Sequence, residues 1–147
     1  MSTYAALMSQ MADQIRNALS AVTDVDVQIE PRLVWNPTPP TIDLYPGDPF
    51  LDAELAGFGE PDQPVFTVRA RVQTADTDAG QDLLVALMDP EDELSVSVAL
   101  EDDPTLDGLA TDIYVQGQAG WAQYPDVSGQ GALLGYQWRV AVMNARS

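Results

Sequence analysis

Carboxylates dominate the ionisable side chains of this chain, 23 against six basic groups, and one run of them has metal-like spacing. Asp76-Thr77-Asp78-Ala79-Gly80-Gln81-Asp82 places oxygen ligands at alternate positions, which is what a calcium ion needs. An EF-hand loop also requires glycine at its sixth position and a bidentate Glu at its twelfth. Here Gly80 is fifth and the twelfth residue is Leu87. The same acids suit the first turn of a helix, whose N-terminal end carries partial positive charge, and helix capping is the better account. Paired carboxylates could also run glycoside hydrolysis, but among so many acids the sequence singles out no pair.

The rest of the catalytic repertoire is narrow. There is no cysteine and no histidine, which removes thiol nucleophiles, zinc-thiolate sites and the commonest general base. All six basic residues are arginine, so a Schiff-base lysine and a P-loop lysine are absent as well. No nucleophile elbow or glycine-rich phosphate loop appears. The expectation is a protein that is not an enzyme and uses no cofactor or metal.

Charge narrows the partners. The formal net charge is -17, although charged residues make up only 20% of the chain, so the excess reflects scarce bases. Sequence-specific DNA binding needs a basic surface, and anionic membranes repel an acidic one. Four uses remain open for such acidity: mimicry of DNA, a conduit through which DNA passes, solubility, or adaptation to salt. Gln10 and Asp13 interrupt the early apolar residues, so no signal-peptide core is expected, and Leu83 to Met88 is too short to span a bilayer.

Three arginines carry a pattern. Arg69 and Arg71 share the polar side of an alternating segment, and Arg139 lies on the polar side of another. If both segments join one sheet, half of the basic residues point the same way. Two readings stay open: a solvated face with ordinary ion pairs, or a subunit interface where arginine pairs with a neighbour's carboxylates. Trp35, Trp121 and Tyr124 are the aromatics available for partner contacts. Trp35 could equally pack its loop onto its own domain.

The elements that position these residues are legible by period. Thr3 to Val22 reads as an amphipathic helix, with Tyr4, Leu7, Met8, Met11, Ile15, Ala18, Leu19 and Val22 at three- and four-residue steps. Met8 and Met11 are read as core. Val25 to Ile29 alternates as a short strand, and after Pro31 and a proline-rich crossing Thr41 to Tyr45 forms another. Pro46 to Pro64 is the least regular stretch, a mobile surface loop or an interface arm. Val65 to Thr74 is the clearest strand, with Phe66, Val68, Ala70 and Val72 on one face. A helix is expected over Ala79 to Met88.

Glu91 to Gly117 combines a short helix through Val96 and Leu100, an acidic turn over Asp103-Pro104 and Asp107-Gly108, and a strand from Asp112. Thr111 to Gln118 is expected to continue through Trp121 to Tyr124. The chain then turns at Gly129-Gln130-Gly131 and returns over Leu133 to Met143 as the second arm of an antiparallel hairpin. In that arm Leu134, Tyr136, Trp138, Val140 and Val142 share one face, opposite Gln137 and Arg139. The predicted fold class is α+β: one domain over residues 1–147, a mainly antiparallel sheet with helices packed mostly on one face.

This layout resembles the tail-terminator (tail-completion) and neck proteins of long-tailed bacteriophages. The resemblance rests on the N-terminal helix ending near Val22, the crossing Arg32-Leu33-Val34-Trp35-Asn36-Pro37, and the strand VFTVRARVQT leading into a helix. Its most specific part is Ala99-Leu100 followed by Asp103-Pro104-Thr105-Leu106-Asp107-Gly108 and the strand DIYVQG, a passage of the form AL…D-x-T-L-x-G. The closing strand GYQWRVAVMNA extends it over nearly the whole chain. The resemblance implies a structural virion protein in the tail-neck region, assembled in the host cytoplasm. It implies a homohexameric ring at the head-proximal end of the tail tube, touching the tail-tube protein and a head-completion or connector protein. DNA would pass through the lumen without sequence-specific binding, and no membrane is involved. An acidic DNA mimic or inhibitor, and a tail-tube or other neck subunit, stand as alternatives.

Overall fold

The computed structural model describes residues 3–23, 26–35, 40–52, 63–73, 77–117, 122–125, 132–143 and 145. The apolar positions at three- and four-residue steps form helix α1, Thr3–Val22, with Leu7, Met11, Ala12, Ile15 and Leu19 buried along one stripe. Met11 is fully buried and Met8 packs against the same core, so both methionines are packing residues.

Strand β1 (Gln28–Glu30) pairs in parallel with β2 (Thr41–Asp52). Strand β2 then pairs antiparallel with β3 (Gln63–Gln73), and β3 with β6 (Ala132–Met143). The outer edge of β6 carries two further strands in succession, β4 (Asp112–Gly117) and β5 (Ala122–Pro125), both antiparallel. The result is a six-stranded sheet, mixed only at β1–β2, within a single α+β domain. Helices α2 (Thr77–Met88) and α3 (Val96–Glu101) complete it.

Three boundaries differ from the sequence reading. The strand expected over Val25 to Ile29 begins at Gln28, because only the segment beside Thr41–Asp43 finds a ladder partner. Residues 46–52 and 63–64, expected within an irregular loop, belong to β2 and β3, which leaves 53–62 outside the described residues. A register shift between Pro46 and Leu51 absorbs the prolines and Gly47 as a bulge, where a missing N–H is tolerated. Within it Phe50 is clasped edge-to-face between Tyr4 of α1 and Phe66 of β3, at ring separations of 5.0 and 5.4 Å. The strand expected to run unbroken from Thr111 to Tyr124 is β4 and β5, with a two-residue change of register against β6 between them.

One core cluster gathers side chains from all three helices and from alternate strand positions: Ile42 and Leu44, Phe66, Val68, Ala70 and Val72, Leu134, Trp138, Val140 and Val142. Tyr136 packs against it and meets Trp138 edge-to-face. Gly80 lets α2 approach β3, since a Cβ there would sit 2.7 Å from the carbonyl oxygen of Gln73.

The chain between α3 and β4 is a turn built around one carboxylate. Asp103 accepts from the Thr105 hydroxyl at 2.6 Å, the Thr105 N–H at 3.2 Å and the Asp107 N–H at 2.8 Å. Thr105 Oγ1 in turn receives the Gly108 N–H at 3.4 Å. These bonds hold Leu106, Asp107 and Gly108 at φ of 50, 58 and 82°, a left-handed run that non-glycine residues adopt only at some cost. Burial of Leu106, with no exposed surface, offsets that cost. The four fixed letters of D-x-T-L-x-G therefore supply, in order, an acceptor, a bridging hydroxyl, a core plug and a residue without Cβ.

Candidate functional site

The alternation that sends Ile42 and Leu44 into the core sends Thr41, Asp43 and Tyr45 to the other face of the sheet. Register places Arg69 directly opposite Asp43 and Arg71 opposite Thr41, while Arg139 faces Thr67 on the adjoining strand. Arg69, Arg71 and Arg139 thus share one sheet face, in keeping with their spacing. Two of them are engaged there in a way that the spacing does not reveal.

Arg69 forks onto Asp43 with Nε at 3.1 Å from Oδ1 and a terminal nitrogen at 2.7 Å from Oδ2. Arg71 adds a bond to Oδ2 at 3.2 Å. The Asp43 side chain has no exposed surface, and those of Arg69 and Arg71 are 12% and 6% exposed. Neither guanidinium is a solvated surface cation. Planar, bidentate donors suit this role better than an ammonium would. Arg69 also lies over the Tyr45 ring, 5.1 Å from its centroid.

The fourth donor to Asp43 comes from the crossing between β1 and β2. The Val34 N–H reaches Oδ2 at 3.0 Å, and Arg71 donates to the Val34 carbonyl at 2.9 Å. Val34 is thus pinned through both of its backbone polar groups, and the segment is tied to the side chains of Asp43 and Arg71. Its neighbours point outward: Arg32 is exposed, Leu33 is 36% exposed and Trp35 is 76% exposed. Scattered exposed apolar residues are ordinary, but an indole this open on a pinned backbone is not.

Of the aromatics singled out by sequence, Trp35 is therefore displayed rather than packed onto its own domain. Trp121 lies outside the described residues, and Tyr124 is placed only by its backbone, opposite Leu133 on β6. Asp43 was missed by sequence reading. Its signal was an acid alternating with Ile42 and Leu44, which gains meaning only once β2 is known to lie beside β3.

A concavity lies between α1 and α3. Gln14 on α1 donates to the carbonyls of Ala99, Leu100 and Asp103 at 3.4, 3.1 and 3.3 Å, satisfying the end of α3. Beside this contact is an open groove of about 370 Å3, lined by Ala18, Val98 and Ala99 together with Gln14, Asn17, Glu93 and Asp102.

Among the described residues no group of three or more acids is arranged to hold a metal. The calcium-like run begins at Asp76, outside the described residues, and from Thr77 onward it is helix. No helix among the described residues is long and apolar enough to cross a membrane. The chain matches no protein-family model, and no curated protein matches it.

Proposed function

We propose that this chain is a structural subunit that assembles with copies of itself into a ring of six at the head-proximal end of a phage tail tube. There it ends tube polymerisation and joins the tail to the head-completion proteins. The observation that carries the reading is the display of Arg32, Leu33 and Trp35 on a segment pinned to a buried ionic cluster. An exposed indole and leucine on a backbone held at both polar groups suit contact with a protein surface. The D-x-T-L-x-G passage, on which the family resemblance leans most, supports it as a structural device. An acidic exterior suits a conduit, because a negative lumen keeps DNA from adhering as it passes.

The charge of -17 also favours a second reading, an acidic inhibitor that occupies a DNA-binding protein. Negative-stain imaging of the purified chain separates the readings. Closed rings of six support the terminator role, and open tubes point to a tail-tube subunit. A monomer at every concentration, with a tight basic partner in pull-downs, would establish the inhibitor instead.

A further inference from the structure

We infer that copies of this chain join head-to-tail, the Arg32-Leu33-Trp35 projection of one copy seating in the α1–α3 groove of the next. The inference rests on the self-assembling reading above and specifies its contact. Three observations converge on a second copy as the occupant.

The first is charge. Two chains of net charge -17 repel, so a self-contact is favoured where it sets a cation against carboxylates. Arg16 bonds Asp13 and the Ile29 carbonyl, and Arg69 and Arg71 bond Asp43. Arg32 is exposed and stands beside Leu33 and Trp35. The groove offers the complement, with the exposed carboxylates of Glu93 and Asp102 in its lining.

The second is shape. A groove of about 370 Å3 falls in the roughly 300–1,000 Å3 range of clefts that take small organic groups. Ala18, Ala99 and Val98, the last 48% exposed, give it an apolar part, and Gln14 and Asn17 add polar groups beside them. An indole and a leucine side chain match that chemistry.

The third is direction. The projection is bonded to Asp43 and Arg71, which point away from the core cluster, whereas α1 and α3 contribute to that cluster. Trp35 is 76% exposed and the groove is open, so a copy does not fill its own groove. A two-fold pairing of projection on projection would set Arg32 against Arg32. A contact between two different patches propagates from copy to copy, and it closes into a ring when the rotation allows.

Sedimentation velocity of the full chain over a concentration series tests this with Trp35→Ala (projection lost), Val98→Asp (groove spoiled) and their 1:1 mixture. Both positions are exposed, and far-UV circular dichroism checks that each variant folds. Each variant alone should need a concentration about tenfold higher or more to assemble. The mixture should stop at a 1:1 dimer, because one intact projection meets one intact groove. Arg32→Glu should also weaken assembly, and combining it with Glu93→Arg and Asp102→Arg should restore it. Rings that form normally from both variants overturn this contact and leave the ring reading standing. A wild-type chain that stays monomeric, or that uses Trp35 only to bind a different protein, overturns both. If a variant misfolds, the charge exchange decides: failure to restore assembly sinks the contact.

Discussion

Asp43 and Asp103 are each the centre of a carboxylate-organised segment, yet they work at different ranges. Asp103 gathers donors two and four residues away, all of them neutral, and faces solvent. Asp43 gathers donors 9, 26 and 28 residues away, two of them guanidinium groups, and is wholly buried. The first fixes the conformation of its own turn. The second ties β2, β3 and the β1–β2 crossing together. A local carboxylate can form its bonds before the domain folds, whereas a long-range one depends on the sheet and in turn holds it. Burying ions is costly, and here both oxygens of the carboxylate accept charge-assisted bonds that offset the cost.

The contrast can be broken most directly at Asp43. Asp43→Ala should destabilise the domain by about 3–5 kcal/mol, since it leaves two buried guanidiniums without their anion. Urea unfolding measures this, and a loss under about 1 kcal/mol would mean that water, not the carboxylate, satisfies the cluster. The same variant should raise proteolysis near Val34, whose N–H loses its acceptor. Leu106→Ala should cost about 2–5 kcal/mol through the cavity it leaves, although the residue sits in an otherwise solvent-facing turn. Gly108→Ala should cost about 1–2 kcal/mol from its φ of 82° alone, because nothing lies within 4 Å of the added methyl. A loss much larger than that would reveal a contact at Gly108 that the turn does not otherwise show.

The smallest effect is expected at Thr105. The carboxyl of Asp103 is held below the ordinary aspartate value, first by the Thr105 hydroxyl and then by the Asp107 and Thr105 N–H groups, with desolvation opposing them. A lowered folded-state value means that the charged form is favoured by folding. Its contribution is present above the ordinary aspartate range and disappears as pH falls through the lowered value. Thr105→Val removes the leading donor, so the Asp103 carboxyl should titrate at higher pH, as NMR would read. An unchanged titration would transfer the role to the backbone donors.

The same difference in range explains what the sequence could tell. Helix α1 was readable to its ends because its period of apolar residues runs over 20 positions. The 103–108 turn was readable because acceptor, hydroxyl, plug and glycine all lie close together along the chain. The alternation of Phe66, Val68, Ala70 and Val72 identified β3, and with it the shared direction of Arg69 and Arg71. The extension of β2 past Tyr45 was hidden, since Pro46, Gly47 and Pro49 look like a loop until Phe50 is seen between Tyr4 and Phe66. The Asp43 cluster was hidden more deeply. Its members are ordinary strand residues in TIDLY and VRARV, and nothing in either segment specifies the other.

Composition alone removed thiol, imidazole and lysine chemistry, and local periodicity alone drew most of the helices and strands. Both are properties of side chains in order along the chain. Tertiary structure decided which strands are neighbours, that Arg69 and Arg71 are buried against Asp43, and that Trp35 stands outward beside Arg32. Those outcomes follow from register and burial, where a shift of one residue would send each side chain to the other face.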